Sequence, residues 1–470
     1  MATAPTTSTE TPETSQTPQT PATPDTTETT AITGTAGTAE PVVIDNALLR
    51  YADEVRGALT ALGADRPPDA GFTPGFALPA VDDRVRRYFS ACQLAVADLG
   101  DYRGRRLRML DLMRNPRTKT TKTGPSLVIV ARAVEFIQRT GEPVLLVSPS
   151  SGNKVTALRD AVLRAYETGL ATPEQLGIVV VVPGSSVHKL WDSPLSADPA
   201  LRARNPVVTY DGRDRADVKA LAQSLVDGHG AAIRDEFGVH LWYTLEIGNY
   251  LVADVIRAAA EEEFLPRAEG RLHVHAVSSA YGLLGHDLGA RRLAAARGGK
   301  PTAHYFLVQH LDTADMVLSL YHGSVSREHR PAYRLDEATM LYRQDDNPRF
   351  PAVTYDPGEI LVSLYEVLQR YPLLRAMLGR AGTPLPADPR DLREWSLVMA
   401  LTGILNAIDR DLVDETDILV HGSGTYSVDD FSPIPPDRRT AVTDVGALYQ
   451  ITRRAAGAGA VPATSAPGTS

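Results

Sequence analysis

Four small polar residues, Ser150-Ser151-Gly152-Asn153, follow a run of strand-like apolar residues that ends at Ser148-Pro149. A helical pattern begins just after them, at about Lys154. Small side chains let a ligand approach the backbone, and the free N–H groups and dipole of a helix start favour a carboxylate or phosphate. An ordinary strand-to-helix turn with Ser or Asn as the helix cap gives the same pattern. The tetrapeptide alone therefore only suggests an anion site.

Two lysines, Lys119 and Lys122, lie between an Asn-Pro turn at Asn115-Pro116 and an amphipathic helical pattern that begins near Pro125. A lysine at a helix start near the mouth of a sheet can be partly desolvated. Desolvation lowers the pKa of the amine and makes it a nucleophile for an aldehyde. Composition alone favours the alternative, in which both lysines lie on the solvated surface.

Near-continuous apolar strands alternate with helical segments through the central part of the chain. The predicted strands are Val144–Ser148, Ile178–Pro183, His273–Val277, Tyr305–Val308 and Ile418–Val420. The predicted helices are Pro125–Thr140, Lys154–Thr168, Arg215–Glu236, Tyr250–Glu263, Ile360–Gly379 and Leu392–Asp409. This alternation predicts an α/β fold of three-layer domains whose mostly parallel sheets are buried on both faces.

Ligands in such folds collect at the carboxyl ends of the strands. Ser150–Asn153 lies at one of those ends, and Ser278-Ser279 and Gly422-Ser423-Gly424 lie at two others. Together with the lysine segment, these stretches resemble the fold type II family of pyridoxal-phosphate enzymes. That family includes threonine synthase, cysteine synthase and the tryptophan synthase β chain. The blocks come in the family's order over about residues 110–430, and the resemblance implies a cofactor site in the cleft between two domains.

The resemblance implies a role for each block. Lys122, favoured over Lys119 by its place in the pattern, would form a Schiff base with pyridoxal 5'-phosphate and act as a general base. Asn153 would hydrogen-bond the phenolic oxygen of the cofactor. Ser423 would meet the pyridine nitrogen.

The remaining blocks would bind anions. Ser150, Ser151 and Gly152 would receive the carboxylate of the amino-acid substrate. The family's phosphate loop is usually a run of glycines, so this chain would be a divergent member. Its phosphate-binding residues would be Ser278, Ser279, Ala280, Tyr281 and Gly282.

The expected activity is that of a pyridoxal-phosphate-dependent lyase or transferase of the synthase type. It would act on an amino acid by β- or γ-elimination or replacement, because a neutral partner such as Ser423 leaves the cofactor a weaker electron sink. Two alternatives stay open. One is a sugar-phosphate or nucleotide enzyme without a Schiff base, and the other is a fold type II relative that has lost catalysis and acts as a binding protein. Family members are usually dimers, so a homodimer is possible.

Other polar residues have simpler interpretations. His273 and His275 alternate on one strand face, but the sequence shows no third ligand with suitable spacing, so no metal site is predicted. His421 is expected to be packed or hydrogen-bonded. Glu246 and Asn249, just ahead of a helix, would either contact substrate or cap the helix.

Composition bounds the class of protein. The 470 residues suit two domains, proposed at 42–220 and 221–455 between disordered tails at 1–41 and 456–470. The formal charge of -9 argues against nucleic acid as a partner. The basic cluster Arg103–Arg108 is expected to be solvated helix or loop surface.

Cys92, the single cysteine, lies in an apolar stretch that reads as helix, and it is expected to be a small core residue in a protein of a reducing compartment. Lys189 is expected to lie on a loop surface. No window has the roughly 20 apolar residues needed to span a membrane, and no secretion signal is recognised. A cytoplasmic protein without a membrane partner is therefore expected.

Overall fold

The computed structural model describes residues 40–66, 71–150, 152–212, 217–329, 333–338, 341–344 and 357–459. Residues 1–39 of the predicted N-terminal tail and 460–470 of the predicted C-terminal tail lie outside the described residues, as does Ser151. The last described helix ends at Ala458.

The described strands form a seven-stranded sheet, a five-stranded sheet and two short strand pairs. In chain order they are β1 (Val42–Ile44), β2 (Leu94–Tyr102), β3 (Arg105–Asp111), β4 (Val144–Pro149), β5 (Leu176–Pro183), β6 (Val207–Tyr210), β7 (His240–Tyr243), β8 (Leu272–Ala276), β9 (His304–His310), β10 (Tyr333–Asp336), β11 (Leu341–Gln344), β12 (Pro357–Val362), β13 (Leu392–Glu394), β14 (Asp417–Gly422), β15 (Tyr426–Ser427) and β16 (Thr440–Val442).

The larger sheet has the strand order β1-β2-β3-β14-β8-β9-β12, and the smaller has the order β16-β6-β5-β4-β7. From β3 to β12 the larger sheet is parallel, whereas β1, β2 and β3 pair antiparallel. All pairs of the smaller sheet are parallel. The predicted α/β fold with mostly parallel sheets is therefore confirmed. The domain boundaries stay a prediction; the smaller sheet contains β4 to β7 and, from much later in the chain, β16.

The described helices lie on the faces of these sheets. In chain order they are α1 (Ala47–Arg50), α2 (Ala52–Ala64), α3 (Asp83–Phe89), α4 (Thr123–Thr140), α5 (Asn153–Glu167), α6 (Pro194–Ala197), α7 (Pro199–Arg204), α8 (Asp217–Phe237), α9 (Ile247–Asp254), α10 (Ile256–Phe264), α11 (Tyr281–Ala296), α12 (Asp315–His322), α13 (Leu364–Arg380), α14 (Ser396–Asp409) and α15 (Val445–Ala458). Among the described residues, no helix has the length and apolar composition of a membrane span.

Side chains of β4 alternate between two cores, as the period of a strand requires. Val144 and Leu146 belong to the core that also contains α4, α5, α9 and α10. Leu145 and Val147 belong to the core with α8 and α15. The first core also contains Leu419 of the larger sheet, so α4 and α5 lie between the two sheets. Helices α13 and α14 cover the other face of the larger sheet.

The predicted strands are confirmed with small shifts at their ends, but three predicted helices have different bounds. The segment predicted as a helix over Ile360–Gly379 begins in strand β12. The helix itself starts only after Ser363, whose hydroxyl accepts the N–H of Glu366 in a capping box. The segment predicted over Leu392–Asp409 likewise begins in strand β13, and the one predicted over Tyr250–Glu263 is divided between α9 and α10.

The prediction that Arg103–Arg108 is helix or loop surface is correct only for the exposed turn Arg103-Gly104. The remaining residues form the first half of strand β3 in the antiparallel β2–β3 hairpin. Leu107 is fully buried while its neighbours point the other way, and Arg108 Nη1 lies 2.8 Å from Asp417 Oδ1. Cys92 lies between α3 and β2 rather than in a helix. It is buried as expected, and burial raises the pKa of its thiol to about 12.

Candidate active site

The segment before helix α4 is held against the loop that contains Ser423. The Thr121 N–H donates to the Ser423 carbonyl at 2.9 Å, and Thr120 Oγ1 donates to the same carbonyl at 3.2 Å. Thr120 and Gly424 also form an antiparallel bridge. Lys122 follows directly, just before the first residue of α4. These bonds bring the predicted lysine block and the Ser423 block together, although the two are far apart in the sequence.

The Ser423 hydroxyl is buried and makes no hydrogen bond with any described residue. Its neighbours leave little room, because a Cβ on Gly424 would lie 2.7 Å from Glu394 Cγ and one on Gly422 would lie 2.9 Å from Met113 Cε. Leaving a buried hydroxyl without a partner costs about 1–3 kcal/mol. A ligand with a hydrogen-bond acceptor at this position would remove that cost.

Lys122 follows this hydrogen-bonded segment directly, with its side chain half-buried. Its Nζ is 5.5 Å from the ring centre of Tyr250. Burial is the main cause that lowers the pKa of this amine, and the charge of Arg257 lowers it further, while Asp254 and Glu394 act in the opposite sense. The lowered pKa increases the fraction of the neutral, nucleophilic amine.

A second amine, Lys154, lies against the same tyrosine, and reasoning from the sequence did not single it out. Its Nζ is 5.6 Å from the ring centre of Tyr250 and makes no hydrogen bond with any described residue. Lys154 is only 5% exposed. Burial, followed by the charge of Lys122, holds the pKa of the Lys154 amine well below its usual range. The available signal was the position of Lys154 directly after Asn153.

The buried amine predicts an effect on stability. Replacing Lys154 by Met roughly keeps the length of the side chain and removes an unpaired polar group. We therefore expect the free energy of unfolding to rise by about 1–3 kcal/mol at neutral pH. The folded-state pKa lies well below the unfolded value of 10.5. Between those values the unfolded chain binds a proton that the folded chain lacks, so the lysine destabilises the protein less as pH rises. The gain from Lys154→Met should therefore shrink as pH approaches 10.5.

Thermal unfolding of the two proteins at neutral and alkaline pH measures this difference. Lys219→Met is the matched control, because the side chain of Lys219 is exposed and its removal should change the midpoint little. A stability gain that is independent of pH would contradict a neutral, buried Lys154.

The Ser-Ser-Gly-Asn turn links β4 to α5, as predicted. The Ser150 N–H donates to the Val181 carbonyl at 3.1 Å. Gly152 precedes the helix with φ of 146°, a conformation that favours glycine, and its carbonyl accepts the N–H of Thr156 at 3.1 Å. Ser151 lies outside the described residues. Gly152 rather than Ser or Asn occupies the cap position, and no side chain caps the helix.

Asn153 bridges to the β13–β15 strand pair, whose two strands precede and follow Ser423 in the chain. Its Nδ2 donates to Glu394 Oε2 at 2.8 Å, and its Oδ1 accepts the hydroxyl of Tyr426 at 3.0 Å. Glu394 also accepts the backbone N–H of Ser396 at 3.1 Å. The predicted ring-contacting residue is therefore fixed in orientation by partners from a distant part of the chain.

The predicted phosphate loop, Ser278–Gly282, connects β8 to α11. Ser278 is exposed, Ser279 is half-buried, and Ala280 has φ of 52° just before the helix. Tyr281 begins the helix, and its ring centre lies 4.9 Å from that of Tyr250. The loop thus reaches the tyrosine that both amines contact, and the start of a 16-residue helix faces this region.

Arg257, which was also not singled out from the sequence, connects the loop to the lysine segment. A Cβ on Gly282 would lie 2.6 Å from Arg257 Nη2. The guanidinium is buried, donating to Asp254 Oδ1 at 2.7 Å and to Thr121 Oγ1 at 2.7 Å. Its Nη1 lies 3.4 Å from His421 Nδ1. Arg257 therefore joins α10 to the residue just before Lys122.

Comparison with protein families gives a match over almost all of the described chain. Residues 43–361 and 358–456 match DUF6002, described as a family of unknown function. The chain belongs to the DUF6002 family. No curated protein matches it.

Solved structures with some likeness to this DUF6002 chain include enzymes of the group that the sequence motifs resemble. Threonine synthase from Brucella melitensis, with pyridoxal phosphate bound, has 13% identity and a TM-score of 0.45, over 89% of this chain and 92% of the other. Threonine deaminase isoform 2 from Solanum lycopersicum has 14% identity and a TM-score of 0.44, over 86% and 94%. A hydrogen sulfide-producing enzyme from Fusobacterium nucleatum has 10% identity and a TM-score of 0.44, over 75% and 100%.

The two other lysines considered for this DUF6002 chain differ from Lys122. Lys119 is partly exposed, and its Nζ lies 2.5 Å from Asp430 Oδ1. Lys189 was expected on a loop surface, and it ends a short 3-10 turn that follows β5. It is half-buried, its Nζ lies 3.9 Å from Glu394 Oε2, and a Cβ on Gly152 would lie 3.5 Å from its own Cβ.

The side chains of Glu246 and Asn249 make structural contacts with neighbouring residues. Glu246 precedes α9 without a capping hydrogen bond from its side chain, and it pairs with Arg66 at 3.3 Å. Asn249 is buried, with its Oδ1 bonded to Arg132 and its Nδ2 donating to the Thr244 carbonyl at 3.3 Å. Neither residue caps the helix through its side chain.

Proposed function

We propose that this chain binds pyridoxal phosphate covalently at Lys122 and acts on an amino acid by β- or γ-elimination or replacement. The observation that supports this most directly is the contact between the lysine segment and Ser423, whose buried hydroxyl has no partner among the described residues. A pyridine nitrogen is an acceptor that such a hydroxyl can bind. Since a serine does not protonate that nitrogen, elimination and replacement fit better than transamination.

The residues around the cleft fit the other parts of the cofactor. The loop Ser278–Gly282 offers hydroxyls, backbone N–H groups and the start of α11 to a phosphate, and the Arg257 guanidinium at Gly282 adds positive charge. Asn153 is already oriented by Glu394 and Tyr426. The Asn153 amide would donate an N–H group to the phenolic oxygen of the ring.

The substrate carboxylate would bind beside the tetrapeptide. Gly152 lies directly before α5, and N–H groups at a helix start have no partner within the helix. Lys154 adds a buried amine that makes no hydrogen bond with any described residue. An arriving carboxylate would favour protonation of this amine and would pair with it, so Lys154 would orient the substrate rather than hold the cofactor.

Lys122 would move the proton. When bound, pyridoxal phosphate supplies an electron sink for negative charge at the substrate Cα. The Lys122 amine, with its pKa lowered by burial, would accept the Cα proton in its neutral form and later return a proton to the product. Tyr250, which lies beside Nζ, would keep water away from that amine.

A spectral titration tests this proposal. Purified full chain is mixed with pyridoxal phosphate and then with a panel of amino acids that carry β or γ leaving groups. We expect visible absorbance on cofactor addition and a further change with at least some of the amino acids. Absence of any cofactor absorbance would contradict the proposal, and absorbance that no amino acid alters would favour a binding protein without catalysis.

A further inference from the structure

Three buried histidines meet between the larger sheet and helices α10 and α11. His273 of β8 and His421 of β14 lie on the same face of the sheet, and His286 of α11 packs over them. All three are at most 1% exposed. One ring nitrogen from each lies within 4.8 Å of those from the other two. Only His273 and His275 of β8 could be recognised from the sequence, because His286 and His421 come close to His273 only in the folded chain.

The Glu261 carboxylate contacts two of the three histidines. Glu261 Oε2 lies 2.8 Å from His286 Nε2, and Glu261 Oε1 lies 3.5 Å from His273 Nε2. His273 Nδ1 is 3.1 Å from His421 Nε2. His273 Nε2 is buried and makes no hydrogen bond with any described residue. Three imidazoles form a ligand set that zinc and related divalent transition metals accept.

The groups around the cluster orient its members. Tyr305 OH lies 2.8 Å from His286 Nδ1, and this contact directs His286 Nε2 toward Glu261. Arg271 Nη1 donates to Glu261 Oε1 at 2.8 Å, and its Nη2 donates to Asp417 Oδ2 at 3.0 Å. Such outer contacts are typical of metal sites, where they fix the ring and carboxylate orientations.

A route to the cluster is also present. A cavity of about 340 Å³ between α10 and α11 is lined by Glu261, His273 and His286, together with Arg271. An ion could reach the two histidines and the carboxylate from this cavity without passing through the candidate active site. His421 lies deeper, on the side of Arg257.

We propose that His273, His286 and His421 bind one divalent transition-metal ion, with zinc as the best match and the Glu261 carboxylate beside two of the three ligands. Coordination through His421 Nε2 places the remaining ring proton on Nδ1, which faces Arg257 Nη1 at 3.4 Å. Arg257 would then give up this contact and keep those with Asp254 and Thr121. His421 would therefore separate the metal from the Arg257 guanidinium, which borders the candidate active site.

Cobalt substitution tests the site without reference to catalysis. Tag-free full chain, stripped of metal with a chelator, is titrated with Co²⁺ and then with Zn²⁺. We expect visible ligand-field absorption that saturates at a single equivalent and disappears on zinc addition, together with a higher thermal midpoint when zinc is bound. His286→Gln should abolish the absorption. His229→Gln, which changes a histidine stacked on Tyr449 far from the cluster, should preserve it.

Two results would overturn the proposal. If the wild type shows no cobalt absorption and no zinc-dependent shift of the thermal midpoint, the histidines form only a hydrogen-bonded cluster. Equal cobalt absorption in wild type and His286→Gln, with both proteins folded by circular dichroism, would place any bound metal elsewhere and would also contradict the proposal.

Discussion

Lys122→Ala should abolish covalent attachment of pyridoxal phosphate and lower turnover of a responsive amino acid roughly a thousandfold. The amine that it removes is half-buried, has a lowered pKa and follows the residue bonded to Ser423. No other lysine combines these features within the described part of the chain, since the nearby Lys154 follows the Ser-Ser-Gly-Asn turn in α5 instead. Absorbance after cofactor addition and steady-state turnover both measure the loss.

Lys119→Ala is the matched control, because the two lysines lie in the same segment and differ in environment. Lys119 is partly exposed and pairs with Asp430 at 2.5 Å, so its loss should leave the cofactor spectrum unchanged. If Lys119→Ala lost the spectrum while Lys122→Ala kept it, the assignment of the two lysines would be reversed.

Arg257→Met should cause the largest loss of stability among single changes near the cleft. The side chains of Arg257 and Asp254 are only 2% and 4% exposed, and they form a hydrogen-bonded ion pair at 2.7 Å. Removing the guanidinium leaves a buried carboxylate without its cation, which costs about 3–5 kcal/mol. Thr121 also loses its hydrogen bond to Arg257, so cofactor affinity should fall as well. Denaturant unfolding and cofactor titration measure the two effects.

Two further variants separate the charge effect from packing. Adding Asp254→Asn to Arg257→Met removes both charges and should recover part of the lost stability. Arg390→Met, which breaks a largely exposed pair with Asp388, should change the free energy of unfolding very little, because solvent screens such pairs. If the double variant were no more stable than Arg257→Met, the buried charge would not explain the loss.

The sequence predicted the parts of the fold that depend on local patterns. The continuous apolar run at Val144–Ser148 belongs to a strand buried on both faces. Such a strand can be recognised from its own residues alone, because nearly all of them are apolar. The β2–β3 hairpin was missed because arginines alternate with buried residues in β3, and a basic cluster resembles solvated surface. Helix starts such as that after Ser363 depend on single capping residues, which the apolar period does not locate.

The candidate site was predictable in its blocks but not in their partners. The order of the lysine, tetrapeptide and Ser423 blocks can be read along the chain, and the structure brings the two residues before Lys122 into contact with Ser423. Arg257 and Tyr250 could not be found in this way, because their roles come from contacts between α9, α10 and distant loops. Lys154 was missed because its burial results from the packing of α5 between two sheets.

The most direct test of the central claim is borohydride reduction of the protein with bound pyridoxal phosphate, followed by peptide mapping of the modified lysine. We expect a single labelled peptide that contains Lys122, with no label on Lys154 or Lys119. Label on either of those lysines, or no labelled lysine at all, would contradict attachment of the cofactor at Lys122.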